Sequence, residues 1–433
     1  MVDILKKIRE FEYTERVRMN RLYEYYIGKH AILNAKKPDG KPNNRIVTNY
    51  AKIIVNSTTG YFLGVPVSYD SDIPALNEKI CDIIQYNDDA SHNIQLGKDL
   101  SIFGRAAEVL YLDPDGAARY GKINPMNLYA HYTSDIERKI DYAIRWYDVR
   151  DDRDVLIRYI ELYTDRDVTY YMSTGGGLLQ TEQKEHFFGQ VPVNVYQNNA
   201  DMIGDYEDAL SLMDAYNVMQ SESVNDFQKF ADALLVVKNA IVDDKTVSDI
   251  RDKNVLELLD DGEASWLVKQ VNDAYVENIK NRLDRDIYAA TSTVNMSDDN
   301  FANNASGVAI KYKLMRMENR ISGTERYFKK GLQRRFEMIC NLLNMKGGNF
   351  DYRDIRITFI RNIPVNMQET AAAAQQFHGI VSDETLLSQI PFIENAKEEL
   401  QRKQKESDYN VFANEEMGGV NEQFRKGILG EQN

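Results

Sequence analysis

Over the first hundred positions, apolar residues recur at helical intervals. Ile4, Leu5, Ile8 and Phe11 share one face of a 3.6-residue period, which predicts an amphipathic helix from near Asp3 to Tyr26 that stops at Gly28. A polar loop follows at Lys36 to Pro42, and further helices are expected over Ile46 to Thr58, Pro74 to Tyr86 and Ala90 to Phe103. Pro74 suits a first turn, where a backbone N–H would be unpaired in any case. From Ala106 the pattern turns β-rich. Val109 to Leu112 runs into the turn Asp113-Pro114-Asp115-Gly116, and stretches through Ile144 to Tyr147, Val155 to Tyr163, Val168 to Met172 and Leu178 to Phe188 are punctuated by Asp and Gly turns, as in an antiparallel meander.

After Asn198-Asn199 the helical period returns from Asp205 to about Ala231, with Leu210, Met213, Asn217, Val224 and Phe227 roughly on one face. A small α/β insert then covers Leu234 to Val271, with strands expected at Leu234 to Val237 and Trp266 to Val268. Asn272 can cap a second long helix whose Tyr275, Ile279, Leu283 and Ile287 are spaced by four, fraying at Thr291-Ser292-Thr293. The run Ser297 to Gly307 is a concentrated Asn, Asp, Ser and Gly loop signal. Beyond it, Val308 to Leu343 reads as one very long helix with Ser322-Gly323 as its natural bend, ended by Gly347-Gly348. Ile355, Ile357 and Phe359 alternate as in a half-buried strand, Met367 to Phe377, Asp383 to Ser388 and Ile393 to Lys405 suggest short helices, and the stretch beyond Asn410 is polar and loose. The fold class expected is α+β and mainly helical.

Charge narrows the function. With 53 basic and 67 acidic side chains the net charge is −14, which argues against a protein that clamps duplex DNA by neutralising phosphates. Two distant cysteines, Cys81 and Cys340, suit free thiols better than a disulfide framework. The N-terminal residues alternate charge with Ile and Leu, unlike a secretory signal, and the longest charge-free run, Ile53 to Tyr69, is too short and too polar to span a bilayer, so no membrane insertion is expected.

Candidate chemistry is sparse. The 5 histidines lie far apart with no metal-ligand spacing, and Gly97-Lys98 and Gly28-Lys29 lack the other residues of a phosphate-cradling loop. Asp113 to Gly116 lacks the later oxygen ligands and closing Glu of a calcium loop, and the pairs Asp243-Asp244, Asp260-Asp261 and Asp298-Asp299 read as solvated loop charge. No catalytic residue, metal or cofactor is expected. What stands out is segregation of charge: between Lys311 and Arg335 nine bases face only Glu318 and Glu325, whereas from Ile241 to Glu263 eight acids face three bases. Arg316 and Arg320, then Arg326, Lys330 and Arg334, repeat at helical intervals and form a basic stripe suited either to phosphate contact or to pairing with acidic neighbours in the fold or in an adjacent copy.

An ordered set of short matches carries a resemblance. Tyr25 to His30, Asn43 to Ile46, Asn49 to Lys52 and Gly60 to Val67 are followed by Phe103-Gly104-Arg105, Ile144-Arg145, Pro192-Val193 and Ser306 to Ala309. Over roughly residues 20 to 345 the chain resembles the portal proteins of tailed bacteriophages, in the branch of siphophages infecting Gram-positive hosts. The resemblance implies a portal plan: wing 1–204, first stem helix 205–233, clip 234–271, second stem helix 272–293, tunnel loop 294–307, tunnel helix 308–346, a wing return strand in 347–366, crown 367–410 and a loose tail 411–433. It further implies a ring at one capsid vertex, twelve copies in the virion or thirteen when isolated, with double-stranded DNA passing through the channel. The expected partners are the terminase large subunit, a head–tail adaptor, and the major capsid and scaffolding proteins. The expected location is the virion, and the host cytoplasm during assembly. Asn295, Asn300, Asn303, Asn304, Lys311 and Lys313 would then approach the duplex, and the acidic insert with Asp243, Asp244, Asp260 and Asp261 would dock terminase or adaptor. The competing reading is a metal-dependent nuclease, which needs converging carboxylates and gives no reason for two long helices flanking a small insert.

Overall fold

A computed structural model describes residues 3–39, 41–175, 177–230, 234–238, 261–267, 273–295, 307–363, 367–387, 390, 393, 396 and 398–406. The chain is α+β. The single N-terminal helix expected from the periodicity is two, α1 (Ile4–Tyr13) and α2 (Glu15–Tyr26). The break is at Thr14, whose hydroxyl donates to the Glu10 carbonyl at 2.8 Å and so competes for the helical ladder. Helix α3 (Tyr50–Leu63) starts later than the expected Ile46, because Asn49 caps it by accepting from the Lys52 N–H at 3.0 Å and the N–H groups of Ile46 and Thr48 before it bond to side chains of another helix. Helices α4 (Pro74–Tyr86) and α5 (Asp89–Phe103) follow as expected. Gly104 ends α5 with φ 77°, and a Cβ there would lie 1.9 Å from the Met202 carbonyl oxygen, so the site takes only glycine.

The expected meander is two sheets. Strands β2 (Arg105–Leu112), β3 (Ala118–Ile123) and β9 (Val193–Gln197) form one of order β3-β2-β9. Strands β4 (Leu128–Tyr132), β5 (Ile140–Arg150), β6 (Leu156–Tyr163), β7 (Asp167–Ser173) and β8 (Leu179–Glu185) form the other, antiparallel throughout and in chain order. The register pairs Trp146 with Ile160 and Ile144 with Leu162, and α1 covers that face, with Phe11 edge-on to Trp146 at 5.5 Å between ring centres. The short β1 (Ser68–Ser71) pairs with β12 (Ile355–Thr358), so the expected late strand returns to the N-terminal half.

A 3₁₀ turn at Glu207–Ala209 leads into α6 (Leu210–Phe230), which packs antiparallel with α7 (Asp273–Ala290). Between them the described residues include a two-stranded antiparallel ribbon, β10 (Leu234–Lys238) and β11 (Glu263–Leu267). Helix α8 (Gly307–Met345) has 39 residues, about 58 Å at ~1.5 Å per residue, and stays helical through Ser322-Gly323. Two short helices follow, α9 (Met367–Phe377) and α10 (Asp383–Leu387). One core lies beneath α8 and contains Phe62, Phe328, Leu332 and Phe336; a second joins α1, α2, α3 and the larger sheet to Leu210, Met213 and Ile287 at the base of α6 and α7. Cys81 is exposed, Cys340 buried, and both are free. Among the described residues no helix is long and apolar enough to cross a membrane.

Candidate functional site

The long helix α8 gathers most of the residues that the sequence singles out, and the fold sorts them by face. Its inward positions Leu314, Met317, Ile321, Phe328, Leu332, Phe336 and Ile339 are buried at the spacing of an amphipathic helix. At Gly331 the helix comes so close to β9 that a Cβ would lie 2.3 Å from the Tyr196 ring, and Tyr196 is itself fully buried.

Next to that contact Arg335 is 0% exposed and uses all three guanidinium nitrogens. Nη1 donates to Asp89 Oδ1 at 2.6 Å, Nη2 to Glu108 Oε2 at 2.7 Å and Asn93 Oδ1 at 3.1 Å, and Nε to Glu108 Oε1 at 2.9 Å. The two carboxylates are satisfied in turn. Glu108 accepts from the Tyr196 hydroxyl at 2.6 Å and Asn194 at 3.0 Å and lies 2.8 Å from His92 Nε2; Asp89 accepts from Tyr69 and Tyr120, both at 2.8 Å. The guanidinium also lies 4.4 Å from the Tyr120 ring centre. Burial alone would push the Glu108 carboxyl up, yet the adjacent Arg335 charge and the His92 hydrogen bond hold it well below the ordinary carboxylate range. This closed network fastens α8 to α5, β2, β3 and β9. Arg335 belongs to the basic run in the sequence, but nothing in its spacing separates it from its neighbours. The readable sign was Glu108, a lone acid in the apolar strand Ala106-Ala107-Glu108-Val109-Leu110.

The stripe residues divide likewise. Arg320 donates to Thr58 Oγ1 at 2.9 Å and pairs with the buried Asp205. Arg334 reaches Gln190 Oε1 and the Val191 carbonyl, both at 3.2 Å. The acids Glu318 and Glu325 are both held by Arg361, at 2.9 Å and 2.6 Å, rather than by bases on α8. Arg316, Arg326 and Lys330 are exposed. Lys311 and Lys313 are exposed too, on the first turns of α8 beside Tyr312, which is 74% accessible. Helix α8 thus presents a cationic outer face over an interior whose charges are neutralised in place. Asn295 is half-buried just after α7, and Asp261 is exposed beside β11. Asn300, Asn303, Asn304, Asp243, Asp244 and Asp260 lie outside the described residues. Among the described residues no group of three or more His, Cys, Asp or Glu side chains is placed to hold a metal ion.

Comparison with known proteins gives one consistent result. The family described as phage portal protein, SPP1 Gp6-like, matches residues 5–411. The chain is 24% identical over 388 residues to the portal protein of Bacillus phage SPP1, covering 85% of this chain and 77% of that protein. It is 24% identical over 457 residues to the portal protein of Clostridium phage phiCD119, covering 94% of this chain and 99% of that one.

Proposed function

Because the chain belongs to the phage portal proteins of the SPP1 Gp6-like family, we propose that it assembles into the ring-shaped channel at one capsid vertex through which viral DNA is packaged by terminase, retained and later ejected, and on which the head–tail connector is built. The observation that carries this reading is the family match over 5–411. The chain order agrees with it: α6 and α7 fit a stem, the β10–β11 ribbon between them a clip, α8 a tunnel helix, the body with its two larger sheets a wing, and α9 and α10 a crown. Partners under this reading are further copies of the chain, terminase, a head–tail adaptor, and capsid and scaffolding proteins.

The charge balance suits a wall past which DNA slides. Duplex DNA carries one charge per ~1.7 Å of axis, so a uniformly basic lining would bind it by counterion release and hold it fast. An acidic, hydrated wall repels phosphate only within a Debye length of about 8–10 Å. A few cations, Lys311 and Lys313, with the polar Asn300, Asn303 and Asn304 before them in sequence, then centre the duplex without trapping it. Replacing both lysines by Glu is expected to slow packaging or to weaken retention of packaged DNA in an in vitro packaging assay; unchanged rate and retention would remove these residues from the channel lining.

A further inference from the structure

Between the 3₁₀ turn Ala31–Asn34 and α3, residues 42–49 carry no helix or strand of their own, and alternate backbone N–H groups along them bond to a helix. The N–H of Asn44 donates to Asn225 Oδ1 at 2.7 Å, that of Ile46 to Ser221 Oγ at 3.0 Å and that of Thr48 to Asn217 Oδ1 at 2.8 Å. Donors therefore alternate by two along this segment while acceptors step by four along α6. The match is geometric: two extended residues advance about 6.6 Å and four helical residues about 6.0 Å, so the two ladders stay in register across three rungs. Asn217, Ser221 and Asn225 are 0%, 1% and 0% exposed, a buried polar line that would be costly on a helix without such a partner. Asn44 Nδ2 adds bonds to Asn225 at 2.9 Å and Gln228 at 2.7 Å, Lys37 pairs with Glu222, and at the other end Asn217 Nδ2 lies 2.9 Å from His30 Nδ1.

The rest of the attachment is concentrated at the base of the helix pair. Leu210, Met213 and Ile287 sit in the core, and Tyr50 bonds Asp284 at 2.6 Å with its ring edge-on to Tyr216 and Tyr288. Among the described residues, α6 beyond Asn217 contacts the segment 42–48 and the 3₁₀ turn Ala31–Asn34. We infer that residues 41–49 are a releasable strap: it sets the angle of the α6–α7 pair to the body, and when its amides leave the Asn217, Ser221 and Asn225 ladder the pair pivots as a unit about its buried base while both helices stay folded. Side-chain acceptors hold the strap, so it opens without breaking any helical hydrogen bond. The device follows from this geometry alone and does not depend on the portal reading.

Hydrogen exchange on the full chain, with peptides covering 43–49 and 89–103 compared by mass spectrometry, tests the release. The strap peptide is expected to exchange much faster than the α5 peptide, and Ser221→Ala and Asn225→Ala, each removing one rung, are expected to accelerate it by roughly 5- to 30-fold while α5 is unmoved. The unmoved α5 peptide also shows that the variants fold. Spin labels at Val218→Cys and Glu78→Cys in a Cys81→Ser background, with labelled chain diluted into unlabelled chain, report the pivot: their distance distribution should broaden in both rung variants. Strap exchange no faster than α5, rung variants that leave it unchanged, or an unaltered distance distribution would each overturn the proposal.

Discussion

Replacing Arg335 by Met keeps much of the side-chain volume and removes the one cation between two buried carboxylates. Arg335 is 0% exposed, and the groups it contacts, Asp89 at 3% and Glu108 at 0%, are as deeply buried. Breaking a buried ion pair by removing one partner costs about 3–5 kcal/mol, because the remaining charge is left uncompensated. A well-packed apolar substitute recovers part of this only when the carboxylates are neutral. The sign of the pH dependence follows. In the native protein Glu108 is held below its usual range, so its contribution is present above a pH of about 4.5 and is lost as the pH falls below that value. In Arg335→Met the guanidinium is gone and burial dominates, so Glu108 takes up a proton at higher pH and folding of the variant is favoured by acid. Urea unfolding of both proteins at one chain concentration, followed by circular dichroism at pH 7.5 and 5.0, should give a loss of about 3–5 kcal/mol at the higher pH and a smaller one at the lower. A loss under about 1 kcal/mol, or one equal at both pH values, would refute the view that this network fastens α8 to the body.

Further outcomes follow from single contacts. Gly331→Ala should cost about 1–3 kcal/mol in the same unfolding experiment, since the new Cβ meets the buried Tyr196 ring; combining it with Tyr196→Leu should give a smaller loss than the two changes summed. His30 is held below its ordinary range chiefly by burial, with Asp214 nearby opposing the shift. The stability its neutral form contributes is therefore present above pH ~6.5 and declines as the pH falls below it, a slope that thermal melts between pH 7 and 5 should show in the wild type and show reduced in His30→Gln.

Much of the architecture could be read from spacing. The helices around Pro74, Ala90, Leu210 and Val308 and the strand at Ile355 have strong periodicity and clear punctuation, and they stand within a few residues of the expected bounds. The misses have local causes. Thr14 interrupts a continuous apolar stripe through a hydroxyl that competes with the backbone, and Ile46 to Thr48, expected to open α3, is instead drawn out along α6 by Asn217 and Ser221, as its β-branched run Ile-Val-Thr could have signalled. Strands β3, β4 and β9 are short and carry little alternation of their own; pairing with β2 and β5 makes them strands. Charge was legible as a sum rather than as a geometry. The basic run of α8 is real in sequence, but whether a given base turns inward to a carboxylate, as Arg320 and Arg335 do, or outward, as Arg316 and Arg326 do, depends on what the rest of the fold sets opposite it.

The central claim is a ring around a channel. Purified full-length chain, imaged by negative-stain electron microscopy and weighed by native mass spectrometry, is predicted to form closed rings with an axial hole and a mass that is a whole multiple of 49.9 kDa, about 600 kDa for twelve copies. Compact particles of one or two chains without a hole, at every concentration tested, would contradict it.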